Sequence, residues 1–170
     1  MTDVCKSCHS TTLINNYINQ YIGEIDLIMT QWVDPGRELY SLATKVLEEL
    51  QGDQYVQNTN ALDGIWGDIC NHDAKYPMYG AAMMSPGFTQ ANNAAIASDW
   101  YNSYLPAIAK IINENICSDD KTVKELTGKL KKRFCEILSN PTYGGAWMAP
   151  TGKPRKFCYN YIEENPCSKK

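Results

Sequence analysis

The chain has 170 residues, of which 44% are hydrophobic and 21% charged, with a formal net charge of −3. That length buries a substantial core within one domain. The slight acidity argues against a nucleic-acid partner, and no apolar run is long enough to cross a bilayer.

In chain order, the first feature is "VCKSCHSTT", beginning at Val4. It contains Cys5-x-x-Cys8-His9, the signature of covalent c-type haem attachment. Each cysteine sulfur adds to one haem vinyl group, and the next residue lies under the iron, where imidazole is a suitable axial ligand. One of only two histidines in the chain occupies that position. The competing readings are a redox dithiol and half of a zinc site. Structural zinc wants four ligands, and no second Cys-x-x-Cys exists to supply them. The expectation is one haem c on Cys5 and Cys8, with His9 as proximal ligand. Such haems are attached outside the cytoplasm, which predicts a periplasmic or otherwise extracytoplasmic protein. No secretory leader precedes Cys5. Either it has been removed and Met1 is not the native start, or these residues are a piece of something longer, or the motif is not loaded.

Helical periodicity follows. Ile14, Ile18, Tyr21, Ile25, Ile28 and Trp32 are spaced 4, 3, 4, 3, 4, a narrow apolar seam close to a heptad. "VDPGREL" predicts a break, with Asp34 capping the next helix and Pro35 at its first position. That helix carries Leu39, Leu42, Ala43, Val46, Leu47 and Leu50, and "QGDQ" ends it. In the next segment Leu62, Ile65, Trp66 and Ile69 share a face, weakened by Gly64 and Gly67. "YPMYGAAMMSPGFT" reads as a loop. A long helix, roughly Gln90 to Ile116, buries Ala97, Trp100, Tyr104, Ile108 and Ile111, with Pro106 predicting a kink or break. A final helix runs through Val123, Leu126, Leu130, Phe134 and Ile137. The last thirty residues are rich in Gly, Pro and Tyr and read as an irregular tail over the bundle, pinned at Cys158 or Cys167. Cys117, Cys135, Cys158 and Cys167 allow three pairings, or serve as buried free thiols; their spacing does not choose.

His72 is the other histidine. A lone helical histidine is usually a satisfied polar residue, but a six-coordinate haem wants a second strong ligand. The candidates are His72 as distal ligand, one of Met78, Met83 and Met84, or a ligand from a partner chain. Cys70 has nothing nearby to lower its pKa. The basic run Lys121, Lys124, Lys129, Lys131, Lys132 and Arg133 reads as a solvated helix face or as a docking patch for an acidic redox partner. Acidic pairs such as Asp119-Asp120 fall near predicted helix ends. Nothing resembles a phosphate loop, a Ser-His-Asp set or a carboxylate-rich metal site.

With "CKSCHS", "ICNHDAKYPMYGAAMM" and "GFTQANNAAIASDWYNSYLPAI", the chain resembles the C-terminal part of the hydroxylamine oxidoreductase-like multihaem c-type cytochromes, over about residues 4–112. The tail after Cys117 has no counterpart. Where the family has a His pair, this chain has Asn71-His72. Where it has Trp-His-Gly, this chain has Ala91-Asn92-Asn93. The resemblance therefore implies a relative reduced to one haem, sharing fold, haem type and trimerisation through long helices more than catalysis. Hydroxylamine or hydrazine oxidation releases several electrons, and one iron takes one. The family's cross-linking tyrosine cannot be assigned among the eleven here.

These readings converge on an all-α fold. A bundle of about five helices spans residues 9–139, and an irregular tail spans about 140–170, within one helical c-type haem domain, 1–170. The expected function is one-electron transfer, with no catalytic residues, in an assembly with a redox partner protein, a multihaem one among the candidates. The alternatives are a subunit or segment of a multihaem hydroxylamine/hydrazine oxidoreductase-like enzyme, and a haem-free helical interaction module with a Cys5-Cys8 dithiol.

Overall fold

The computed structural model describes residues 10–50, 53–70, 98–140 and 158–169. Some side chains within those helices also fall outside the description, among them Tyr21, Ile25, Ile28 and Trp32. The described residues are helical with no strand, in agreement with the all-α expectation. Five α-helices are delimited: α1 Thr11–Ile28, α2 Asp34–Glu49, α3 Asp53–Cys70, α4 Leu105–Asn115 and α5 Lys121–Ser139. The predicted loop at 77–86 and the start of the long helix lie outside the described residues.

The two expected proline breaks are not breaks. Five-residue π-helical turns, Met29–Val33 and Trp100–Tyr104, lead directly into α2 and α4. Asp34 is the first residue of α2, not its cap. Val33 stands in the cap position with helical φ/ψ, and no side chain caps the turn. Pro35 and Pro106 follow in the first turn of α2 and α4. Proline lacks the N–H of an α ladder and its ring presses on the carbonyl four residues back. A π turn inserts an extra residue there and lets the chain stay helical. Thr11 to Glu49 is therefore one uninterrupted helical run.

The core lies where α2, α4 and α5 meet. Leu39, Ala43, Val46 and Leu47 of α2 face Ile108, Ile112, Leu130 and Phe134, all essentially inaccessible to water. Each fully buried large side chain contributes about 1.5–3 kcal/mol relative to exposure. The α5 stripe falls as its periodicity predicts, with Leu126 half-buried at its edge. Asp120 caps α5, its Oδ1 accepting from Thr122 N at 2.8 Å and Val123 N at 3.0 Å; such caps contribute about 1 kcal/mol. Thr127 is buried within α5 because its hydroxyl donates to Val123 O at 2.7 Å.

α3 runs antiparallel to α2, and an aromatic cluster fixes its register. Tyr40 Oη donates to Asp63 Oδ1 at 2.6 Å, and the Tyr40 and Trp66 rings stack at 5.8 Å. One turn further, Trp66 and Trp100 close over Gly36, where a Cβ would lie 2.8 Å from Trp100 Cζ3. Tyr104 Oη donates to Gly36 O at 2.6 Å. Gly36 is a close-approach glycine through which three helical segments meet.

The C-terminal segment is stapled twice, by Cys135–Cys158 and Cys117–Cys167. Between the staples Ile162 is buried and Tyr161 stands edge-on to Phe134 at 6.1 Å. Asn113 Nδ2 donates to Tyr161 O at 3.1 Å and Lys131 Nζ to Glu164 O at 3.2 Å. The expectation of a tail pinned at Cys158 or Cys167 is met at both. The rest of the tail, 141–157, lies outside the described residues.

Candidate functional site

Cys5, Cys8, His9 and His72 lie outside the described residues, as do Met78, Met83 and Met84. The helix ends that carry the first three and precede His72 are described.

His9 directly precedes a capped helix. Ser10 Oγ accepts from Leu13 N at 3.2 Å, and Ser10 O accepts from Ile14 N at 3.1 Å. This is the arrangement of a serine N-cap. α1 then runs for 18 residues, about 27 Å at 1.5 Å per residue. Its described side chains are exposed apart from half-buried Ile14. Ile18, Ile22 and Met29, at the start of the π turn, are 40%, 50% and 36% exposed. Ile22 and Met29 follow the seam positions Ile18 and Ile25 by four residues, so they widen the seam to an apolar face. That spacing is visible in the sequence, although the narrow heptad reading omits both. Thr11–Gly23 contains no charged residue.

At the other end of the arm, α3 terminates at Cys70, two residues before His72. Trp66 marks the level of Gly36, so Cys70 lies one turn further, level with the π turn that joins α1 to α2.

The basic run of α5 is largely neutralised. Lys129 pairs with Glu125 at 2.8 Å, Lys132 with Glu136 at 3.9 Å, and Arg133 with Glu38 and Glu136. Lys131 is held by the carbonyls of the C-terminal segment. This is the solvated-face reading; exposed pairs of this kind contribute little stability. A shallow groove of about 460 Å³ lies beside Cys135–Cys158, edged by Lys132, Ser139 and Tyr159. Among the described residues no three His, Cys, Asp or Glu side chains cluster to hold a metal ion. No described helix is long and apolar enough to cross a membrane.

Two phenols are electrostatically perturbed. Burial, reinforced by the neighbouring Tyr161, raises the Tyr101 phenol above the ordinary tyrosine range. Burial also raises Tyr161, whose hydroxyl donates to Tyr101 O at 3.5 Å. Both phenols are therefore neutral across the physiological range. Compared with protein-family models, curated proteins and solved structures, the chain matches none.

Proposed function

We propose that this chain is a helical monohaem c-type cytochrome that transfers single electrons within a larger redox assembly. The observation that carries the reading is Cys5-x-x-Cys8-His9 set immediately before the capped start of an exposed, apolar-faced helix. Cys5 and Cys8 would tether the porphyrin, His9 would hold the iron, and His72 is the candidate second ligand. A haem held there would supply reversible one-electron chemistry. With two histidines as its ligands it would serve electron transfer rather than substrate binding.

Two further observations support it. The exposed apolar surface of α1 next to the motif suits a largely apolar macrocycle. The two disulfides, Cys117–Cys167 and Cys135–Cys158, suit an oxidising compartment such as the periplasm, where this haem type is attached. The partner is a second redox protein.

The test is an optical spectrum of protein produced with a haem-attachment system in the periplasm. A Soret band and a c-type pyridine haemochrome, with one haem per chain, are expected. A protein colourless under those conditions contradicts the reading.

A further inference from the structure

We propose that Tyr40 and Asp63 form a proton-coupled one-electron site, and that Trp100, Tyr104 and Trp66 conduct oxidising equivalents to it. The site stands apart from the haem reading above and consists of described residues alone.

The first observation is continuity. Trp100 and Tyr104 lie 5.2 Å apart between ring centroids, Tyr104 and Trp66 5.4 Å, and Trp66 and Tyr40 5.8 Å. Those are the spacings of aromatic rings in contact. Electron tunnelling falls steeply with distance, so a series of touching rings carries an electron far faster than one gap of the same total length. Indoles and phenols also give up an electron more readily than aliphatic side chains or the backbone. The series joins separate helical segments: Trp100 and Tyr104 come from the second π turn, Trp66 from α3 and Tyr40 from α2.

The second observation is a base at one end. An intact phenol holds its proton up to about pH 10. A phenol that has lost an electron is a strong acid, and its radical persists only if the proton has somewhere to go. Tyr40 Oη donates to Asp63 Oδ1 at 2.6 Å, the short spacing of a hydrogen bond to a carboxylate. Tyr104 Oη donates to Gly36 O, and a backbone carbonyl does not take the proton. Asp63 and Trp66 are three residues apart on α3, which places them on one face. That face brings the last conductor and the base to Tyr40 together.

The third observation is the gradient of burial. Trp100 and Tyr104 are 1% and 0% exposed, Trp66 and Tyr40 are half-buried, and Asp63 is exposed. An electron missing from Trp100 leaves a positive charge in the core, where charge is costly. An electron missing from Tyr40, with the proton on Asp63, leaves a neutral radical beside a neutral acid. The oxidising equivalent is therefore drawn outward, to the end of the series that a dissolved reductant can approach.

The step balances. A strong oxidant of the radical or high-valent-metal class takes one electron from the series. Tyr40 makes up the loss through Trp66, and its hydroxyl proton passes to Asp63 Oδ1. A thiolate donor then returns one electron to Tyr40 and departs as a thiyl radical, and Asp63 returns the proton. The site clears oxidising equivalents from a core that dissolved reductants do not enter.

The experiment uses the purified full chain, with flash-generated tris(bipyridine)ruthenium(III) as oxidant and a cobalt(III) ammine as irreversible quencher. Transient absorption is expected to show an indole radical decaying as a tyrosyl radical rises, slowed in heavy water. Freeze-trapped electron paramagnetic resonance should give a tyrosyl signal that narrows with ring-deuterated tyrosine. Tyr40→Phe keeps the ring against Trp66 and should lose most of that signal, leaving the indole radical long-lived. Asp63→Asn keeps a hydrogen-bond acceptor that takes no proton, and should do the same. Trp66→Phe should slow the conversion. A tyrosyl signal unchanged in Tyr40→Phe, or in Asp63→Asn, overturns the site. Equal rates in light and heavy water overturn the proton coupling without recourse to any variant. A conversion indifferent to Trp66→Phe overturns the conduction.

Discussion

At the scale of single residues, Gly36 is the most constrained position described. A methyl group there meets two indoles, and neither is the flexible end of a chain. Gly36→Ala is expected to lower stability by about 1–3 kcal/mol, the usual range for overpacking a filled core. Urea unfolding checks this, and an unchanged midpoint would show that the cluster rearranges freely. Tyr101 and Tyr161 set a pH dependence. Their folded phenols titrate above the unfolded value of about 10. Below that pH both states are protonated and stability is full. Above it the unfolded chain loses protons first, so stability falls as pH rises toward the folded values. Comparing urea midpoints at pH 8 and pH 11 should show the fall, and Tyr101→Phe should reduce it.

At the scale of elements, the two disulfides hold a segment that has little regular structure of its own. They close separations of 50 and 23 residues, for which loop entropy predicts about 4 and about 3.5 kcal/mol. Replacing Cys117 and Cys167 by serine, or Cys135 and Cys158, should each lower stability by about 2–4 kcal/mol. Measured melting temperatures that differ by less than a degree would contradict this. The helices were legible in the sequence because burial repeats with the helical period: Leu39, Ala43, Val46 and Leu47, or Val123, Leu130, Phe134 and Ile137, sit inside as their spacing requires. The proline turns were not. Proline punctuates a sequence whether the chain breaks or merely widens to a π turn, and the choice depends on packing around Trp100 and Gly36. The cysteine pairing was not legible either. It joins positions far apart in the chain, which only the placement of the tail against α4 and α5 brings together. As for the candidate site, Cys5, Cys8 and His9 are a local motif and readable as such. His72 has no such local motif around it, so its pairing with His9 is a matter of tertiary placement that periodicity does not contain.

At the scale of the whole molecule, the chain divides its labour. A disulfide-stapled bundle of α2, α4 and α5 supplies stability, and α3 is locked to it through the aromatics around Gly36. α1 continues α2 through the π turn, and its described apolar side chains Leu13, Ile18 and Ile22 are exposed. Exposed isoleucines on α1 add little to the stability of the bundle. The proposed function stands on haem attachment at Cys5 and Cys8. The most direct measurement is the mass of the peptide containing Cys5 and Cys8 from protein matured in the periplasm. The account predicts one haem bound through two thioether links, with neither thiol open to alkylation. A bare peptide, with both thiols alkylated or joined to each other, would contradict it.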